Sequence, residues 1–511
     1  MIEESIKKMI KKIIDTCKPW IKNGEKGLLY FIDPNDGVEV SAHYGATHMA
    51  VALIIYGGMN NDQELISTGY RLLDSIIERW ELNKKLPGFH NDFNNFAICV
   101  LWNYLEKQNV KSVYLHKIKE IILNTADSNN PTVNWLPMRW YVNLFKYKWT
   151  GEKKYKNISK LCYTDIKKAT YIDGFIDDRL PAGLSFNLQY NIATVAIMQF
   201  LKSTGEEVDI AAELGALISA VAPDGDINYL GRGCNQIFAW GLWIYLLASS
   251  GQNKECIQAI QYLEDKLYVM LQNNNLMLNG WQGKEKYMWW DYHYCSVYTA
   301  HLLFWLVLAL RHLNKYPVKP KIEAGEDSGL KIYRSKDTFI VVFQGRKEYL
   351  AERGPSVALL WSKSKGMITK GNFGPWQNPF GSMYCVDDVV LRNYFGLLVI
   401  EQNITLDSNR YIYKLTHGIK KDVSEKIKPL FTDISVKENK KQVKIIWTNR
   451  SKKNLFLNLP MCTEIDDMIL KVDDKQIGLM KTLKLRNQYD WVTVYQSKYM
   501  KGNKWELVIL K

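Results

Sequence analysis

What most constrains this chain is a change of hydrophobic period near residue 315, from helical spacing before it to strand alternation after it. Upstream, Ile2, Ile6, Met9/Ile10, Ile13/Ile14, Cys17 and Trp20/Ile21 recur every three or four residues, one apolar face of a helix. Cys256, Ile260, Leu263, Leu267 and Met270 repeat the pattern, as do Tyr294, Val297/Tyr298, His301 and Trp305. Similar segments lie near 44–57, 62–80, 92–107, 110–125, 134–150, 153–169, 184–204, 207–221 and 234–250. Together they make about twelve helices parted by short Gly, Asp, Asn or Pro breaks. Paired hairpins in that number predict a closed α/α-toroid of about six pairs. At 313–320 two prolines with lysines between them predict a stiff, solvated connector. Beyond it, 338–343, 410–415, 443–447, 455–459, 491–495 and 505–509 alternate with period two, as the strands of an antiparallel β-sandwich do. The expected architecture is therefore α+β and multidomain: a toroid over 1–314, a linker over 315–322 and a β-sandwich over 323–511.

Composition narrows the partner. Aromatic residues reach 13%, with 17 Trp and 30 Tyr, supplying flat, polar-tipped surfaces on which sugar rings stack. The formal charge of +14 suits an acidic partner. The lysines are scattered and no nucleic-acid motif accompanies them, so an acidic polysaccharide or oligosaccharide is expected rather than nucleic acid. The 8 Cys lack CxxC spacing and sit mostly in apolar runs, as reduced core thiols do. The N-terminus is amphipathic with no leader pattern, and the run 302–310 is too short for a membrane span, so a cytoplasmic setting without membrane insertion is expected. No phosphate-binding glycine loop or other cofactor signature is present, and no cofactor is expected. His43 and His48 lie five apart with no further ligand spacing, so no metal site is expected either.

Polar and aromatic residues cluster in the breaks between predicted helices, which in a toroid converge at one mouth. Segment 41–48 carries His43 and Tyr44; 88–96 carries His90, Asp92, Asn94 and Asn95; 134–140 carries Trp135 and Arg139. Segment 173–179 leads into 185–191 with Tyr190; 223–236 carries Asp226, Tyr229, Arg232 and Gln236; 289–294 carries Trp290, Tyr292, His293 and Tyr294.

The Asn-rich turn at 88–96, the Asp173-Gly174 turn leading to Tyr190, and the Pro223-Asp224-Gly225 to Gly231-Arg232 turn resemble the heparinase II/III-like and alginate-lyase group of polysaccharide lyases. The resemblance implies a toroid followed by β-sandwich layers, and β-elimination on a uronate-containing glycan. That reaction needs one group to neutralise the uronate carboxylate, one to take the proton beside it and one to protonate the leaving oxygen. By resemblance, Asn94 or Asn95 neutralises the carboxylate, and Tyr190 moves protons with His293 or His90. His43, Tyr44, Asp92, Trp135, Arg139, Asp226, Tyr229, Arg232, Gln236, Trp290, Tyr292 and Tyr294 would hold the glycan, the arginines by fork-like pairing with carboxylates.

Plainer roles exist for the same residues. Asn94 and Asn95 suit helix caps, Tyr190 suits a core, and Asp173-Gly174 suits an ordinary turn. A glycoside hydrolase on the same fold would instead draw two carboxyl groups from Asp92, Asp173, Asp177, Asp178, Asp226 and Asp291. A non-catalytic or biosynthetic glycan-binding protein would keep the aromatics and arginines without needing Tyr190 or His293.

Overall fold

The computed structural model describes residues 1–34, 36–83, 90–109, 113–128, 132–180, 186–231, 235–272, 294–323, 327–343, 356–370, 381–386, 389–393, 398–402, 432–439, 441–449, 456–462, 468–486, 491–498 and 500–510. Among them the chain forms twelve α-helices. These are α1 (Ile2–Cys17), α2 (Gly45–Asn60), α3 (Gln63–Asn83), α4 (Asn91–Lys107), α5 (Val113–Asn124), α6 (Leu136–Thr150), α7 (Lys153–Ala169), α8 (Leu188–Ser203), α9 (Ala211–Ser219), α10 (Phe238–Ser250), α11 (Asn253–Gln272) and α12 (Cys295–His312).

The helices divide into two kinds. The even-numbered ones are buried over most of their length: every residue of α10 is buried, as is every residue of α12 from Cys295 to Leu310. A helix without a polar face must be surrounded. Accordingly α2 packs on α4, α4 on α6, α6 on α8, α8 on α10, α10 on α12, and α12 back on α2, which closes an inner circuit. The odd-numbered helices are amphipathic; α1 buries Ile6, Met9, Ile10, Ile13 and Cys17 and shows its lysines to water. They lie outside, α3 on α2, α5 on α4, α7 on α6, α9 on α8, α11 on α10 and α1 on α12. By length and hydropathy α12 is long and apolar enough to cross a membrane, but 89% of it is buried among the other helices. Left-handed residues end several helices, Asn61 after α2, Gly151 after α6 and Gly251 after α10.

Several expected helices are shorter than their hydrophobic spacing suggested. The first stops at Cys17, because Pro19 enters a 3-10 turn over Lys18–Trp20 and Ile21 starts a small hairpin, Ile21–Asn23 against Leu29–Phe31. Helix α9 begins at Ala211, whose N–H is taken by the Asp209 side chain at 3.0 Å.

After Leu330 the chain forms two antiparallel sheets. The larger carries Leu330–Arg334, Thr338–Phe343, Ser356–Ser362, Gly381–Val386, Phe456–Met461, Trp491–Ser497 and Leu479–Arg486 in spatial order, with three further strands attached. The smaller runs Thr432–Glu438, Gln442–Asn449, Lys504–Leu510, Met468–Val472 and Lys475–Ile477. Strand periodicity puts alternate side chains on opposite faces. In Thr338–Phe343, Ile340 and Val342 enter the core shared with Val443, Ile445, Trp447, Leu507 and Ile509 of the smaller sheet. Phe339, Val341 and Phe343 face the other way and join the helical core. The order of layers is thus helices, larger sheet, smaller sheet. The expected strand at 410–415 lies outside the described residues.

Polar ties fasten the sheets to the helices. Ser328 donates to Asp173 at 2.6 Å, and Arg334 donates to the Ser219 carbonyl at 3.2 Å. Phe186 and Phe343 meet with centroids 5.4 Å apart. Cys17, Cys99, Cys162, Cys256 and Cys295 are buried free thiols, and Cys462 is a half-buried one.

Candidate active site

Contacts among the residues that open them bring the starts of the six inner helices to one end of the circuit. Their capping residues are Tyr44, His90, Trp135, Asn187, Ile237 and Tyr294. Ring contacts draw several of them together. His43 stacks on His90 with centroids 4.0 Å apart and leans on Tyr294 at 4.8 Å. His90 in turn lies 5.5 Å from Tyr44 and 5.5 Å from Trp135. Beneath this layer Phe93 stacks on Tyr44 at 4.3 Å, and Phe238 stacks on His301 at 4.2 Å. The first N–H groups of a helix lack intrahelical partners and carry partial positive charge. Six such ends converging on one mouth favour an anionic ligand there.

Burial sets the protonation states. His90, whose Nδ1 lies 3.2 Å from the Ala42 carbonyl, is pushed down to about 4 and is neutral at pH 7. Deeper, His48 and His301 face each other Nδ1 to Nδ1 at 3.1 Å. One ring donates and the other accepts, so the accepting ring is neutral. Burial agrees, lowering His48 to about 3 and His301 well below its ordinary value. The buried Tyr44 phenol is raised and stays protonated. Asp178 is unusual among the carboxyls. Its Oδ1 accepts from the Asn134 N–H (3.1 Å) and Nδ2 (2.8 Å), next to the α6 cap, while its buried Oδ2 has no partner. Burial outweighs the Asn134 bonds and lifts Asp178 to about 8, so it is an acid at neutral pH.

Of the residues expected from sequence, His43, Tyr44, His90, Trp135 and Tyr294 come together at this mouth. Tyr190 is half-buried in the first turn of α8, third residue of the helix. Others stand elsewhere. Asn94 is spent internally: its Nδ2 donates to the His90 carbonyl (3.1 Å) and its Oδ1 accepts from Thr47 Oγ1 (2.5 Å), locking α4 to α2. Asn95, fully buried, lies about 160° around α4 from the axis-facing Phe93, at 100° per residue. It therefore points away from the mouth. Asp92 and Arg139 close on each other at 2.8 Å, and burial lifts Asp92 to about 6 despite the guanidinium. Tyr229 is a core residue, its hydroxyl donating to the Ala220 carbonyl at 2.7 Å. Asp226 is fully buried against Lys370 of the larger sheet at 2.9 Å, which also meets Asp224 at 2.7 Å and the Tyr262 hydroxyl at 3.2 Å. Burial works against the Lys370 charge, but the two aspartates outweigh it and hold the ammonium. Gln236 is fully buried two residues before α10 begins. Arg232, Trp290, Tyr292 and His293 lie outside the described residues.

Sequence reasoning gave no catalytic or binding role to His48, His301 or Gln189. His48 had a signal, standing four residues after Tyr44 and thus on the same helix face. His301 sits in an apolar helix and reads as core. Among the described residues no group of three or more His, Cys, Asp or Glu is arranged to hold a metal ion.

No protein family and no curated protein matches the sequence. Several solved structures do resemble the fold. A glycoside hydrolase family 76 α-1,6-mannanase from Salegentibacter sp. HEL1_6 is 14% identical over 61% of this chain and 99% of its own, with a TM-score of 0.40. Heparan sulfate lyase HepC from Pedobacter heparinus, as a mutant, is 12% identical over 98% of this chain and 83% of its own, with a TM-score of 0.48. A glycosyl hydrolase family 88 protein from Bacteroides vulgatus is 11% identical over 60% and 99%, at 0.40. The neighbours thus mix polysaccharide lyases with glycoside hydrolases.

Proposed function

We propose that this chain is a carbohydrate-active enzyme that cleaves an acidic, uronate-containing glycan by β-elimination at the mouth of the helical circuit. In this reading, residues 1–314 are an α/α-toroid, 315–322 a connector and 323–511 a β-sandwich that backs it. The observation that carries it is the meeting of imidazole, phenol and indole groups where six helix N-termini converge. The helix ends attract the carboxylate and stabilise the negative charge that builds on it as the neighbouring proton leaves. Neutral His90 has a lone pair free of charge and is suited to accept a proton; Tyr190, at the start of α8, is suited to move one to the leaving oxygen. Trp135 and Tyr294 offer faces for the sugar. Asn94 and the Asp92–Arg139 pair then serve to hold these groups in place.

Asp178 favours a second reading, glycoside hydrolysis. A carboxyl that stays protonated at neutral pH is what a hydrolase uses to protonate its leaving group, with a second carboxylate facing it.

The test is to incubate the purified protein with a panel of acidic polysaccharides while following the ultraviolet absorbance of unsaturated uronates. Rising absorbance that disappears in Tyr190→Phe is the expected result. New reducing ends under a flat trace, lost in Asp178→Asn, would transfer the case to hydrolysis. Neither signal across the panel would remove both readings.

A further inference from the structure

Around the mouth, four consecutive inner helices present aromatic caps, while α8 and α10 present carboxamides. Asn187 caps α8 through its Oδ1, which accepts the Gln189 N–H at 3.0 Å, and its Nδ2 is buried without a partner. Gln189 is fully buried, and neither its Oε1 nor its Nε2 has a partner. Gln236 is the same: fully buried, with both amide atoms unpartnered. The two segments adjoin. The Leu188 N–H donates to the Leu230 carbonyl at 3.2 Å, and Asn228 Nδ2 donates to the Gln236 carbonyl at 3.3 Å. Gly231, at φ +106°, lies so close to the Asn187 side chain that a Cβ would stand 2.6 Å from it.

Helix geometry gives Gln189 its direction. It precedes Phe200 by eleven residues, which returns it to within about 20° of the same helix face. Phe200 packs on Phe96 and Tyr141, both at 5.2 Å, in the middle of the circuit. Gln189 therefore points toward the axis, about three turns nearer the mouth.

Buried polar atoms in folded proteins are nearly always hydrogen-bonded, because an unpaired one has given up its water without a replacement. Two whole carboxamides left so, on one sector of a mouth, are a liability that a ligand relieves. We propose that Gln189 and Gln236 form a subsite that binds the hydroxyls of one sugar ring of the substrate. A carboxamide offers an acceptor and two donors, and a hydroxyl matches both at once, whereas a carboxylate has no proton to give the amide oxygen. The subsite thus recognises the neutral face of a glycosyl unit, while the aromatic arc and helix ends take its charge and its ring. This assignment deepens the elimination reading and rests on that reading's placing of the substrate at the mouth.

The test uses the full chain with size-defined oligoalginate, oligogalacturonate and heparin-type tetrasaccharides, and with neutral manno-oligosaccharides. Titration calorimetry reads affinity and thermal melting reads stability. Gln189→Met and Gln236→Leu should weaken the bound oligosaccharide at least tenfold while Tm holds or rises, because an apolar side chain of similar size removes the unpaired groups. Affinity equal to wild type, or a Tm lowered by several degrees as for a lost structural bond, overturns the subsite. Oligosaccharide that binds in wild type, weakens in both variants and yields no unsaturated product would support the subsite and sink elimination. A wild type that binds nothing on the panel, neutral chains included, overturns both.

Discussion

The two arcs of the mouth solve the same problem in opposite ways. From α12 through α2 and α4 to α6, aromatic side chains at and beside the caps pack on one another: His43 on His90, Tyr44 on Phe93, Trp135 against His90. At α8 and α10, Gln189 and Gln236 are buried with nothing to bond. The first arc is packed ring on ring and keeps its imidazoles neutral; the second carries the amides that a bound hydroxyl would satisfy. Strained or unsatisfied groups retained in this manner mark places where recognition outweighs stability. The aromatic arc, together with Tyr190 at the start of α8, should therefore govern kcat, and the two carboxamides Gln189 and Gln236 KM.

Replacing chemistry should have the largest effect. Tyr190→Phe, which removes one hydroxyl from a half-buried side chain, should lower kcat by about 10²–10⁴-fold with Tm nearly unchanged. His90→Gln should act on kcat in the same direction, whereas Gln189→Met should act chiefly on KM. Steady-state rates of unsaturated product formation separate these. Equal losses of kcat and KM in both arcs would erase the division.

The amide arc also leans on the sheets. The loop from Asp224 to Gln236 is anchored where Lys370 meets Asp224 and Asp226, and the Asn228 N–H donates to Asp226 at 2.8 Å. Removing one partner of a buried charge cluster strands the others, so Lys370→Met should cost about 3 kcal/mol. Urea unfolding measures that loss. Hydrogen exchange should rise in 224–231 before it rises around His43 and His90; uniform exchange would show that the arcs are not separately supported.

How much of this was legible in the sequence follows from how locally each feature is specified. The inner helices announced themselves because their apolar residues fill every face, and the strand Thr338–Phe343 alternates cleanly. Ser356–Ser362 did not alternate, because Val357, Ala358, Leu359 and Leu360 are all buried, some against helices and some against the second sheet. At the mouth, His43, Tyr44, His90, Trp135 and Tyr294 stood out because cap positions fall beside helix breaks. Asn94 and Asn95 fall inside the expected helix as they do in α4, and only the packing between helices shows Asn94 spent on Thr47 and the His90 carbonyl. Asp226 and Tyr229 looked like loop residues open to substrate, and only the sheet packed over their loop makes them interior.

The last expected effect separates the imidazoles from Asp178 by pH. Folded, His48 and His90 titrate at about 3 and about 4, below the ordinary 6.5. Between those values the unfolded chain binds more protons, so stability falls as pH drops below 6.5, by up to about 1.4 kcal/mol per unit for each group. Asp178 runs the other way: raised from 3.8 to about 8, it contributes stability that is complete below 3.8 and is lost as pH rises toward 8. The opposed slopes partly cancel between 4 and 6.5, and above 6.5 the Asp178 slope is left uncompensated by the imidazoles. In Asp178→Asn, melting curves taken from pH 5 to 8 should therefore steepen on the acid side, flatten above 6.5, and gain a few degrees of Tm at pH 8. A variant whose profile overlays the wild type would show that Asp178 is ionised in the folded protein. The mouth would then lack the neutral acid on which the hydrolytic reading depends, and the elimination chemistry of the aromatic arc would stand without a rival from this residue.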